Sequence, residues 1–224
     1  MKIKAIITGA TGMVGEGVLH ECLLHPEVES VLVINRRPCG VQHEKLKEVI
    51  HHDLSDTALL KGVVQGYNAC YFCAGVSSVG MSEAEYTKIT YTLTMAFATM
   101  LAAVNPGMTF CYVSGAGTDS TEHGRIMWAR VKGKTENDLQ KLPFKQVCNF
   151  RVGVLQATKG LKNTLTMYKY LAWLIPVLRV VMPNSLSTQR ELGLAMINVT
   201  LRGYSGHVLE VRDIKAMGEE VPAV

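Results

Sequence analysis

The 224-residue sequence has no run of five like charges, although its net charge is +4. Its Lys and Arg residues are scattered, which argues against a nucleic-acid partner. No apolar stretch approaches the roughly 20 residues needed to cross a bilayer core. The most lipid-like segment, Tyr170 to Leu178, has nine residues and includes Pro176, so no membrane span is expected. No secretory signal is legible either, because the first apolar stretch runs directly into Thr8-Gly9-Ala10-Thr11-Gly12, a turn rather than a cleavage site. A cytosolic location is therefore the expectation. No internal repeat or low-complexity linker divides the chain, and 48% hydrophobic residues suffice for one substantial core. The expectation is a single domain over 1–224, with 155–224 forming a small C-terminal substrate-side portion.

Six cysteines are present, and two of them form Cys70-x-x-Cys73 inside the apolar run Ala69–Ala74. That run reads as a buried strand, on which residues three apart point to opposite faces, so the thiols should diverge. They are expected to be small apolar core residues. His51-His52 resembles a metal pair only out of context, since adjacent strand residues also face opposite ways, and no metal is expected.

Strand-length apolar runs alternate with helix-length segments. The strands expected are Ala5–Thr8, Ser30–Asn35, Glu48–His52, Ala69–Ala74, Thr109–Ser114 and Gln146–Val152, several of them continuous and rich in Val and Ile. Continuous runs suit strands covered on both faces. The helices expected are Val14–Leu24, Ser82–Val104 with a Ser82/Glu85 capping box, and Arg125–Lys141 closed by Pro143. Further helices are expected at Asn163–Val181 and Ser187–Arg202, with a short strand at His207–Val211. This alternation predicts an α/β fold: a doubly wound parallel Rossmann sheet in three layers.

Gly9, Gly12 and Gly15 follow the first strand at intervals of three and open the first helix. One glycine permits the tight turn, one removes a Cβ that would block a pyrophosphate, and one lets helix and strand pack closely. The helix N-terminus adds free N–H groups and partial positive charge. Expected cofactor contacts are Thr8, Gly9, Thr11, Gly12, Met13, Val14 and Gly15, together with Cys73, Ala74 and Gly75 after the fourth strand. The second strand ends Asn35-Arg36-Arg37, without the carboxylate that would bind an NAD ribose. The two guanidinium forks suit a 2′-phosphate, so NADP(H) is expected over NAD(H), the alternative being solvated charge in a surface turn. Asp53 has two readings: acceptor from the adenine amino group, or cap of the next helix.

Over Met1 to Val154 the chain resembles the extended and atypical short-chain dehydrogenase/reductases. Tyr112-Val113-Ser114, Val131-Lys132-Gly133 and Phe150-Arg151-Val152-Gly153-Val154-Leu155 are most similar to the Tat-interacting-protein-like branch, which also carries a paired arginine after the second strand. The resemblance implies a seven-stranded parallel sheet, NAD(P) at its C-terminal edge, a catalytic serine and a Tyr-x-x-x-Lys. Ser114 matches the serine and Lys132 the lysine, which the family also uses to bind the nicotinamide ribose. Trp128 stands at the tyrosine position. An indole N–H orients an oxygen but does not ionise near neutral pH, and losing a positioned acid costs about 10²–10⁴ in rate. His123, Tyr86 and Tyr91 are candidate replacements. Val152 stands where extended members often have proline after the arginine, which weakens a nucleotide-sugar reading. Met167, Tyr168, Leu171, Trp173 and Leu174 recur at helical spacings that suit either a core or an apolar substrate pocket.

Two functions are expected from this. One is an NADP-dependent oxidoreductase acting on a small carbonyl or alcohol. The other is a non-catalytic NADP(H) sensor that regulates a protein partner. An epimerase or dehydratase ranks third, because that chemistry relies on the missing tyrosine. The resemblance also implies a homodimer through Ser82–Val104 and Arg125–Lys141.

Overall fold

A computed structural model describes residues 2–163 and 185–219. Strands β1 (Ile3–Thr8), β2 (Val28–Asn35), β3 (Leu46–Ile50), β4 (Ala69–Phe72), β5 (Thr109–Val113), β6 (Gln146–Phe150) and β9 (Val208–Leu209) form one seven-stranded sheet in the order β3-β2-β1-β4-β5-β6-β9. Every neighbouring pair is parallel. Successive strands are added outward in one direction up to β3 and in the other from β4, and this switch between β1 and β4 opens a crevice at their carboxyl ends.

Helix α1 (Met13–Leu24) lies on one face together with α5 (Gln189–Arg202) and α6 (Val211–Gly218), around a core that includes Ile7, Val31, Cys111, Met196 and Ile214. The other face carries α2 (Glu83–Thr87), α3 (Leu93–Val104) and α4 (Met127–Leu139), over Leu32, Phe72, Phe97, Phe110 and Leu139. Burying these side chains supplies the main stabilisation, about 1.5–3 kcal/mol each. Phe72 centres a ring cluster, 5.9–6.1 Å from Phe97, Phe110 and Tyr112. Asn105, at the end of α3, ties that helix to the loop before β4, its side chain donating to Val64 O and accepting from Gly66 N.

The capping box is present: Ser82 Oγ accepts from Glu85 N, and the Glu85 carboxylate accepts from Ser82 N at 2.9 Å. The helix it starts is interrupted by a π segment, Lys88–Thr92, before α3 continues. Strands β4, β5 and β6 end one or two residues earlier than expected, because the chain leaves the sheet there to form the crevice loops. Cys70 packs in the α3–α4 core and Cys73 against the α1–α5 core, on opposite faces as expected. All six cysteines are free thiols.

Within the C-terminal portion, the described residues also build part of the sheet and of its helix layer. Residues from Leu186 onward complete the Rossmann layers themselves, with α5 packed on α1 and β9 serving as the seventh strand. The physical reason is close packing: a Cβ on Gly17 would sit 2.6 Å from that of Gln189, and one on Gly193 would sit 2.7 Å from Glu21 Cγ. A two-stranded parallel sheet, β7 (Val154–Gln156) with β8 (Leu186–Thr188), was not anticipated. The helix expected at Asn163–Val181 lies, but for its first residue, outside the described residues, and its apolar positions and the segment Tyr170–Leu178 lie wholly outside them. Among the described residues no helix is long and apolar enough to cross a membrane.

Candidate functional site

Two glycines of the loop answer to steric demands of the fold, and the third is open. Gly9 has φ +73°, and a Cβ there would stand 2.7 Å from Ala74 N. A Cβ on Gly15 would run into the Gly9 carbonyl, so this glycine sets how closely α1 meets the loop. Gly12 is exposed, and a Cβ there would meet only Gly9 O, at 3.4 Å. Its missing side chain therefore leaves space on the open side, which is what a diphosphate requires. No side chain caps α1, so the N–H groups of Met13, Val14 and Gly15 keep their donor capacity toward an anion. Glu16 would set a negative charge in the same turn. Its carboxylate is instead occupied by the backbone N–H groups of Lys162 and Asn163, both at 2.8 Å.

Two expected contacts brace the loop rather than simply face a ligand. Asn35 is buried; its Oδ1 accepts from Ala10 N at 3.1 Å and its Nδ2 donates to Glu48. Thr8 Oγ1 accepts from Ala74 N at 3.3 Å, linking the ends of β1 and β4. A carboxylate at position 35 could not donate to Glu48 and would repel it, which accounts for the amide.

Above this loop lies a cavity of about 400 Å³. Its walls are Gly9, Thr11, Gly12, Asn35, Arg36, Arg37, Cys73, Ala74 and Gly75, all anticipated, with His51, His52 and the apolar Ile34, Leu54, Val76, Ile89 and Leu93. Ile89 and Leu93 come from the π segment and its junction with α3, an element the sequence pattern did not reveal. Burial pushes the Cys73 thiol up to about 12, so it lines the wall as an inert group. Asp53 is not part of the wall. Its carboxylate accepts from Ser55 N and Ser55 Oγ at 2.8 and 2.6 Å, which closes a turn and holds it below the usual carboxylate range. No helix follows it directly, so the expected helix cap is replaced by a local turn that Asp53 closes.

The second group lies along β5, α4 and β6, and does not reach the wall of that cavity. Ser114 is buried, and its hydroxyl donates to Glu136 Oε1 at 2.5 Å. Glu136, itself 1% exposed, pairs with Arg151 through Oε2 at 2.6 Å. Arg151 also reaches Ser120 Oγ and Glu210, so it is fully engaged inside the protein. Glu136 was missed by the sequence reading. Its signal was available: Trp128, Lys132 and Glu136 recur at intervals of four on one face of α4.

Lys132 Nζ donates to Val113 O at 3.2 Å and sits 5.5 Å from the Tyr112 ring centre. Burial lowers it from 10.5 to about 8, with the nearby Glu136 charge partly opposing the shift. The Trp128 ring covers Gly115 and Gly117 at the end of β5, where a side chain on Gly115 would stand 3.5 Å from the indole. The candidate replacement acids are placed elsewhere. Tyr91 OH donates to Asp138 at 2.7 Å, Tyr86 is buried, and His123 is exposed in its loop.

The fold is similar to a solved Bordetella bronchiseptica enzyme, WbmF in complex with NAD+ (TM-score 0.67, 13% identity, 96% of this chain and 77% of that one). Among curated proteins, "Protein FMP52-1, mitochondrial" of Scheffersomyces stipitis is 26% identical over 178 residues, covering 75% of this chain and 77% of the relative. "Protein FMP52, mitochondrial" of Meyerozyma guilliermondii is 30% identical over 160 residues, 68% and 65% of the two chains. These relatives, all named mitochondrial, overturn the cytosolic expectation. Residues 5–124, more than half of the chain and the whole glycine-loop crevice, match one described family. The chain belongs to the NAD dependent epimerase/dehydratase family.

Proposed function

We propose that the chain binds NADP(H) in the crevice over Gly9–Gly15 and transfers hydride between that cofactor and a small carbonyl or alcohol. The observation that carries this reading is the cavity, in which an uncapped helix start and an open glycine turn face Arg36 and Arg37. The apolar wall of Ile34, Leu54, Ile89 and Leu93 suits an adenine ring. Trp128 occupies the family's tyrosine position and Ser114 is spent on Glu136, which leaves Lys132 as the proton-exchanging group of that helix face. On the names of the fungal relatives, the compartment we propose is the mitochondrion.

One observation favours a second reading, binding without turnover. The Ser114 hydroxyl has a single proton to donate, and Glu136 takes it. Fluorescence titration should show micromolar NADPH binding under either reading. Loss of absorbance at 340 nm with a panel of small aldehydes and ketones then separates them. Consumption of NADPH, increased in Trp128→Tyr, supports the oxidoreductase. Binding with no consumption in either protein supports the sensor. Absence of dinucleotide binding removes both.

A further inference from the structure

The sheet register brings a second group of donors level with the arginine pair. Asn35 at the end of β2 is paired with Ile50 at the end of β3, so His51 and His52 leave the sheet beside Arg36 and Arg37. All four residues line the cavity. His51 is committed: its backbone N–H donates to Asn35 O, and its Nε2 lies 2.7 Å from Asp56 O. The side chains of Arg36, Arg37 and His52 have no hydrogen-bond or ion-pair partner among the described residues.

That freedom is shared by the exposed Arg125 and Arg202, but neither of these lines the cavity, and other arginines are committed. Arg130 is paired with Glu83, and Arg151 with Glu136 and Glu210. Carboxylates near the cavity mouth are meanwhile occupied by their own neighbours: Glu48 by Cys39 N and Asn35, Asp53 by Ser55, and Asp56 by Ala58 N. Two guanidinium groups and one imidazole therefore converge on a concave surface with their donors unused. A group with several acceptor oxygens and negative charge is the ligand that would satisfy them together. An imidazole donates an N–H even when neutral, so its contribution does not require a second proton.

We infer that His52 completes a three-residue subsite for the cofactor's 2′-phosphate, making it a specificity-determining residue alongside Arg36 and Arg37. This rests on the cavity being a dinucleotide site. The test measures Kd for NADPH and NADH, with 2′,5′-ADP and 5′-ADP as competing probes of the adenosine half alone. The native chain should prefer NADPH by at least about tenfold. His52→Gln should cut that preference about threefold and leave NADH within twofold of native. His52→Arg should restore the preference, and Arg36→Gln or Arg37→Gln should reduce it further than His52→Gln does. An unchanged NADPH/NADH ratio in His52→Gln overturns the assignment of His52 while leaving the cofactor reading intact. Equal or tighter binding of NADH to the native chain overturns the subsite. Failure of the native chain to bind either dinucleotide overturns the proposed function itself.

Discussion

The crevice over β1, β2, β3 and β4 and the group along β5, α4 and β6 treat their polar atoms in opposite ways. In the crevice, helix N–H groups, two arginines and a histidine are left without internal partners among the described residues. Along β5 and β6, the serine, glutamate and arginine satisfy one another in the interior. Unspent donors in a cavity mark a place kept for a ligand, whereas a closed network holds elements together. On the proposed reading, the cofactor half of the family's machinery keeps the first character and part of the chemical half takes the second.

The largest effect expected follows from breaking the closed network. Arg151→Ala strands the Glu136 carboxylate in the core at a cost of about 3–5 kcal/mol. It should lower Tm by about 10 °C or more, while cofactor affinity at low temperature stays near native. Glu136→Gln combined with Arg151→Met should recover most of that loss. A small Tm change in Arg151→Ala would mean that the network does not secure β5, α4 and β6. The cradle offers the reverse experiment. Gly12→Ala has room in the fold, so Tm should hold while NADPH affinity falls about tenfold to a hundredfold by titration.

Lys132 gives a third comparison, because it belongs to the closed group but retains a titratable proton. Burial holds it at about 8, and carbonyl reduction needs the ammonium form. The reduction rate should therefore be level below pH 8 and fall about tenfold per unit above it. A rate flat to pH 10 would exclude Lys132 as the donor. The smallest effect is at Asp138. Burial, which pushes its carboxyl up, is outweighed by hydrogen bonds from Lys141, Tyr91 and Lys134 that hold it well below the usual carboxylate range. Its stabilisation is thus present above the usual range and lost as pH falls. Asp138→Asn should lower Tm by about 2–4 °C at pH 7, and the gap should narrow steadily as pH falls below about 4.

What the sequence revealed follows local physics. Five of the strands were legible because covered strands are continuous apolar runs, whereas the half-exposed β3 (Leu46–Ile50) starts two residues before its expected place. The glycine loop was legible because each glycine answers to a separate steric demand. The Ser82–Glu85 box marked its helix start to the residue. What escaped notice depended on distant partners. Arg151 could be placed only within a family motif, because its role is set by Glu136, fifteen positions away and on another element. Asp53 could be read two ways until Ser55 was seen to take its carboxylate. The π segment leaves no mark in hydrophobic spacing, and the place of α5 is fixed by two glycines whose task is visible only against α1.

The contact between α1 and α5 has a consequence for how this protein can be divided. The helix whose first turn would hold the phosphates leans on a helix encoded nearly two hundred residues later, with glycines at both crossings. Gln189 reinforces it by donating to Met13 O at the mouth of the cradle and accepting from Thr158 N. The dinucleotide motif is therefore not a portable module. A fragment ending before residue 185 would keep every motif residue and still lose the surface that aims them.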